Sequence, residues 1–214
     1  MFRLKLGLII GGLVLAYFGV QEFRLSMGTS TEAVQVDLAA LEKGEALENN
    51  HVLIGEHYAD YAGCVYEYEE GNGRVTHTYY PVISENHSFF AGLGKLAEKY
   101  GNVNDAPDSE WPTIDTFKVL VKTKRFKNER SIPEGLGDED KIQGLVINLV
   151  ESMDSEEEEL IKQTFPKLNI DDVLIVEEGR KPSSALASFG MMGGGGLLSL
   201  LGLGWLVTGF SSKT

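Results

Sequence analysis

The sequence predicts an α+β chain in which a β-rich domain is inserted between two transmembrane helices, the domain being either a plain α+β unit or a small, partly open barrel of the OB type. Three observations carry this prediction. The run Ala185 to Phe210 has no charged side chain and as a helix reaches about 39 Å, enough for a hydrocarbon core of roughly 30 Å. A second apolar run, Leu6 to Val20, follows a short basic start. Between them lie segments rich in Val, Ile, Tyr and Thr, bounded by Gly, Asn and Pro in the manner of strands and turns.

The first span is assigned to residues 4–23. Lys5 snorkels toward one interface, while Tyr17, Phe18 and Phe23 suit the opposite boundary. A cleaved signal peptide is the rival reading, with Ser26 and Gly28 as small residues for cleavage, but Glu22 and Arg24 fall in the segment a peptidase needs. If the span is retained, the positive-inside rule puts Arg3 and Lys5 in the cytoplasm of a bacterial inner membrane. The domain is then extracytoplasmic and Lys213 returns to the cytoplasm. Arg24, Arg180 and Lys181 sit on the opposite side, so the first helix decides the orientation.

The formal charge is −13. Removing +2 for residues 1–24 and +3 for residues from Arg180 onward leaves −18 on residues 25–179. Such an excess repels nucleic-acid phosphates and anionic headgroups, so nucleic acid is not an expected partner. Cys64 is the one cysteine, which excludes an intrachain disulfide framework and a thiolate zinc cluster.

Residues 24–36 read as a polar juxtamembrane segment, and residues 37–179 as the soluble domain. Asp37 N-caps a short helix over Leu38 to Lys43, with Gly44 as its stop. His51 opens the first core strand. CVYEYEE and RVTHTYYPVI around Gly71-Asn72-Gly73 make a hairpin, with Pro81 marking an edge or a strand end. Phe89 to Tyr100 forms a short helix carrying Leu93, Leu96 and Tyr100 on one side, within a long loop from Ser84 to Pro112. Ile114 to Phe126 alternates, with Phe117, Val119 and Val121 on one face, and Lys118, Lys122 and Lys124 with Leu120 on a basic, half-exposed outer face. IPEGLGDED reads as a loop and KIQGLVINLV as a buried strand. Ser155 with Glu158 matches a capping box for a helix burying Leu160, Ile161, Thr164 and Phe165. The strand DVLIVEE then leads through Arg180-Lys181-Pro182 to the second span, 185–210.

Little in the chain points to chemistry. His51 and His57, six apart, lie on one face of a strand about 20 Å apart, too far for one ion. His77 and His87 have no motif spacing either, and Glu156 to Glu159 fan around a first helical turn. Cys64 before the hairpin reads as a small packed group. There is no G-x-S-x-G, P-loop or H-E-x-x-H, so neither a catalytic residue, a cofactor nor a metal is assigned. The tyrosines are the densest feature, and Tyr66, Tyr68, Tyr79 and Tyr80 are the candidate partner-facing residues, because tyrosine joins a rigid ring to a polar end. Cross-strand packing is the competing explanation.

In the spans, Gly7 with Gly11, Gly12 with Ala16, Gly190 with Gly194, and Gly195 with Ser199 fit the small-x-x-x-small pattern of close helix pairing. Gly193 to Gly196 predict a local bend. A lipid-anchor signal at Ser183, Ser184 and Ala185 lacks its polar spacer.

The segment EEGRKPSSAL entering the last span, with a short first span and an acidic β-rich domain between, resembles uncharacterised bacterial two-span membrane proteins. In layout the chain also resembles the membrane-adjacent domain of GIDE-type membrane ubiquitin ligases. Those carry a zinc-binding RING after the second span, and no cysteines follow here, so ligase activity is not implied. The expected function is a non-catalytic, membrane-tethered interaction, scaffold or sensor module, partnered by the lipid bilayer and by a protein or a second copy. A membrane-anchored hydrolase-like enzyme using Cys64 or the histidines, and an oligomeric assembly through the glycine-rich spans, are the alternatives.

Overall fold

The computed structural model describes residues 2–69, 71–148 and 153–211. Glu70 of the expected hairpin, Leu149 and Val150 of the expected strand, and Lys213 lie outside the described residues. The chain divides into two compact units, one formed by residues up to Ser30 together with those from Pro182 onward, the other by Thr31–Lys181.

The first unit pairs helix α1 (Phe2–Ser26) with helix α5 (Ala185–Ser211). Both are long and apolar enough to cross a membrane. They run antiparallel: Lys5 Nζ donates to the Trp205 carbonyl (2.6 Å), Ser199 Oγ to the Ile9 carbonyl (3.1 Å), and Ser183 Oγ to Glu22 (2.5 Å). The seam uses only part of the predicted glycine set. A Cβ on Gly12 or Gly195 would collide with the facing helix backbone, as would one on Gly19 with Met192, while one on Gly202 would meet the Ile9 side chain at 2.7 Å. Gly7, Gly11, Gly190 and Gly194 have open space beside them. The two pairs Gly12/Ala16 and Gly195/Ser199 therefore form the contact, and the outer surface carries exposed Leu13, Phe18, Leu197, Leu200 and Leu201. Helix α5 remains helical through Gly193–Gly196. Close packing on α1 at Gly195 offsets the weak helix propensity of the run.

The second unit is a curled sheet with helices around it. Its strands are β1 (Val34–Val36), β2 (His51–Ile54), β3 (His57–Asp60), β4 (Val65–Tyr68), β5 (Val75–Ile83), β6 (Val119–Thr123), β7 (Leu136–Glu139), β8 (Ile142–Val146) and β9 (Leu174–Glu178). The sheet order is β1-β2-β8-β9-β6-β5-β3-β7, with β4 also on β5. β2 and β3 are one segment kinked at Gly55-Glu56, and β7 and β8 one segment kinked at Asp140-Lys141. From the pair Ile54↔Ile142, three residues forward on one segment and three back on the other reach the pair His57↔Glu139. One antiparallel register therefore spans both kinks. With the short β1 and β4 set aside and each kinked segment counted as one, five long strands remain (β2/β3, β5, β6, β7/β8 and β9), in the order first, second, third, fifth, fourth and back to the first, with β6 and β9 the only parallel neighbours among these five. This is the OB-like arrangement, curled into a half-barrel that lacks ladder pairs where the kinks face each other.

Local chemistry explains most elements. Asp37 caps α2 (Leu38–Glu42) by accepting from the Ala39 N–H at 2.9 Å, and Gly44 follows at φ +94°. Helix α3 (Ser88–Tyr100) is capped by His87, and α4 (Ser155–Thr164) by Asp154. Ser155 is thus the first helical residue instead of the cap, and Leu160 points outward while Ile161 is buried.

Other expectations need correction. The juxtamembrane segment ends in β1, a parallel partner of β2, and IPEGLGDED contains β7. β6 is shorter than the alternating run, with Phe117 preceding it, and is buried on both faces because it lies between β5 and β9 under α4. Pro81 is inside β5, opposite Leu120. Lacking an N–H, it can occupy only a pair that is not hydrogen-bonded toward β6, and its nitrogen faces the edge where the chain has left β3 and not yet entered β4.

Two cores result from the alternation. Val52, Ile54, Ala59, Tyr80, Val82 and Val121 fill the barrel. Tyr79, Ile83, Leu120 and Ile175 on the outer sheet face pack with Ile161 of α4 and Phe165 just beyond it.

Candidate functional site

The four singled-out tyrosines do not form one surface. Tyr79 and Tyr80 are buried on opposite faces of β5, in the outer core and the barrel respectively. Tyr66 is half-buried and Tyr68 exposed, both on β4, whose only strand partner among the described residues is β5. Cys64 is half-buried against the barrel core. Burial, then the Asp60 carboxylate, push its thiol up, the reverse of what an attacking thiolate needs.

The histidines are dispersed, and three serve local structure. His87 Nδ1 accepts from the Phe89 N–H while Nε2 donates to the Thr116 carbonyl, as a single neutral tautomer does. His51 meets Gln143 at 3.1 Å. His57 donates from Nδ1 to the Gly55 carbonyl, and burial pulls its pKa down. The kink at Gly55-Glu56 reverses the alternation, so His57 shares the barrel face with Ala59 whereas His51 lies opposite Val52. The expectation of one shared face for the two is thereby overturned.

His57 belongs to a polar group lining the barrel interior. Arg125 reaches Glu139 through two nitrogens, the closer at 2.8 Å, and the Tyr61 hydroxyl donates to Glu139. Burial favours the neutral acid at Glu139, but the hydrogen bonds from Arg125 and Tyr61 hold its pKa below the usual carboxylate range. The Tyr80 hydroxyl and His57 Nε2 are buried with no hydrogen-bond partner among the described residues.

A second constellation lies on the outer face, where three elements meet. Glu67 of β4 is paired directly across from His77 of β5, so both side chains leave the same face. The His77 Nδ1 to Glu67 distance is 3.4 Å. Helix α4 brings Glu157 to His77 Nε2, and the Tyr79 hydroxyl donates to the other Glu157 oxygen at 2.8 Å. Lys122 stands 4.0 Å away. Burial raises the Glu157 pKa, yet the hydrogen bonds from Tyr79 and His77 and the Lys122 charge bring it below its ordinary value. A cleft of about 210 Å³ opens beside Glu157, Tyr79, Lys122 and Asp154.

Glu67, His77 and Glu157 are the group able to hold a metal ion among the described residues, with ligand atoms all within 4.8 Å of one another. Sequence spacing does not reveal it, since the hairpin supplies two members and a helix 80 residues later the third. The legible part was the cross-strand pairing; which of the four successive acids turns inward depends on the docking of α4. A third feature, a cleft of about 740 Å³ at the barrel kink, is lined by Asp37, Glu56, Glu85, Asp138 and Asp140. Comparison with family models, with curated proteins and with solved structures finds no match to this chain.

Proposed function

We propose that the chain is a membrane-tethered, non-catalytic interaction module of scaffold or sensor type, with its OB-like domain held by the α1/α5 pair and its partner taken by the β4 edge. The observation that carries this reading is β4 itself: a strand hydrogen-bonded along one edge by β5, bearing exposed Tyr68 beside Tyr66. An edge with no strand partner among the described residues, bearing aromatic side chains, supports strand addition by an extended protein segment. On the positive-inside argument the domain faces out of a bacterial inner membrane, with Arg3 and Lys5 on the cytoplasmic side.

The test is photo-crosslinking from position 68 in native membranes, followed by pulldown of the full-length protein. A specific crosslinked species, lost when Tyr66 and Tyr68 are both changed to Ala without a change in thermal midpoint, supports the proposal. Identical crosslinks in that double variant would count against it. Protease digestion of spheroplasts tests the orientation.

Self-association is a second reading, favoured by the open space beside Gly7, Gly11, Gly190 and Gly194 on the outer surface of the helix pair. A monomeric mass in mild detergent at all concentrations would exclude it.

A further inference from the structure

We propose that Glu67, His77 and Glu157 form a binding site for a divalent transition-metal ion, with zinc the best match. The ligands come from β4, β5 and α4, and their coordinating atoms already lie within 4.8 Å of one another. A tetrahedral zinc with bonds near 2.0–2.2 Å holds its ligand atoms about 3.3 Å apart, so the set must contract by side-chain rotation to reach bonding distance.

The two acids address opposite ring nitrogens, Glu67 at Nδ1 and Glu157 at Nε2. One of them must swing around the imidazole for both to share an ion. Glu67 is the one placed to move, its side chain being 58% exposed and held by the Thr76 hydroxyl at 2.8 Å, a surface hydrogen bond that it gives up on binding, whereas Glu157 is 14% exposed and tied by Tyr79. That tie orients one Glu157 oxygen and leaves the other for the ion, as supporting hydrogen bonds do around metal-binding carboxylates. Two carboxylates and a neutral imidazole give a charge of −2 at the site, matching the ion. Lys122, at 4.0 Å, partly balances the same carboxylate and must yield some of that role on binding.

Three protein ligands leave a fourth position for water, and the cleft beside Glu157 gives it room. Imidazole with carboxylate and no thiolate suits zinc, cobalt, nickel or copper, and disfavours calcium and magnesium. The bound ion joins the β4–β5 hairpin to α4, which no covalent link does nearby.

The experiment is calorimetric titration of the untagged, chelator-treated full-length protein in detergent micelles with zinc chloride, then with calcium chloride. Cobalt absorption in the visible range serves as a spectroscopic readout. The expected result is one equivalent of zinc, no calcium, and a cobalt spectrum of low coordination number. His77→Ala and Glu157→Gln weaken zinc binding by at least about tenfold, and Glu67→Gln, at an exposed side chain, weakens it less while leaving the fold intact. Should His77→Ala or Glu157→Gln unfold the protein, Glu67→Gln together with the cobalt spectrum decides. Absence of zinc binding, which would mean that His77 holds the two acids by hydrogen bonds alone, overturns the proposal. So does zinc binding that all three variants leave unchanged.

Discussion

Gly12 of α1 lies so close to Ser199 of α5 that a Cβ on the glycine would stand 2.4 Å from the serine Oγ and 2.5 Å from the Gly195 carbonyl. One residue earlier, Gly11 has open space beside it. Two adjacent glycines therefore do opposite things, and the difference is measurable.

Gly12→Leu should separate the helices and Gly11→Leu should not. Overpacking of this kind costs about 1–3 kcal/mol. Disulfide trapping between cysteines placed at Ile9 and Ser199, in a chain whose Cys64 has been changed to Ser, reads the effect directly. Efficient trapping with Leu at position 12 would show that the seam lies elsewhere.

Arg125→Ala leaves the partly buried Glu139 carboxylate and Tyr61 hydroxyl without their cation. Because both charged side chains are about a third exposed or less, solvent moderates the loss to about 1–3 kcal/mol. The thermal midpoint should fall by about 3–10 °C. Adding Glu139→Ala should recover part of it, since the uncompensated acid is then gone. A double variant no more stable than Arg125→Ala would show that the pair is not coupled.

Gly144→Ala places a Cβ 2.4 Å from the Glu177 carbonyl, a backbone atom that cannot rotate away. β8 and β9 must then separate, at a cost of about 1–3 kcal/mol. Gly94→Ala, at a helical position with open space, is the control and should be neutral or slightly stabilising. Equal midpoints for the two variants would contradict the close approach of β8 to β9.

Stability should decline in two stages as the solution is acidified. The His57 pKa is lowered from 6.5, so its contribution is fully present above that value and is lost as the pH falls through it toward the folded pKa. Glu139 and Glu157 are lowered from 4.5, and their contributions disappear below that value in turn. Asp60 is raised from 3.8 by burial and works in the opposite direction, favouring the folded state in acid. Thermal midpoints measured from pH 8 to pH 4 should be level first and begin to fall near 6.5. His57→Gln should remove that first decline, and an unchanged profile would place the titration elsewhere.

How far the sequence revealed this architecture depended on whether the cause was local. Asp37 and Gly44 around α2, and Gly71 and Gly73 in the hairpin turn, are read directly from side-chain and backbone preferences. The α+β class with a partly open, OB-like barrel between two apolar helices followed from such signals. Elements defined by distant partners were not readable. β7 looks like loop because LGDE has no apolar alternation, and it is a strand only through pairing with β3. The alternation of Lys122 with apolar residues predicts a solvated outer face, and α4 covers that face. Glu157 could not be separated from its three acidic neighbours, because its burial comes from Tyr79 and His77, far away in the chain.

The shared register of His51–Asp60 with Leu136–Val146 also bears on how the domain is made. The first of these segments leaves the ribosome early, and its partner follows only after most of the domain has been synthesised. Until then its apolar residues, Val52, Ile54 and Ala59 among them, await a neighbour. Closure of the sheet is thus a late, long-range event, slow by the general dependence of folding rate on the sequence separation of contacts.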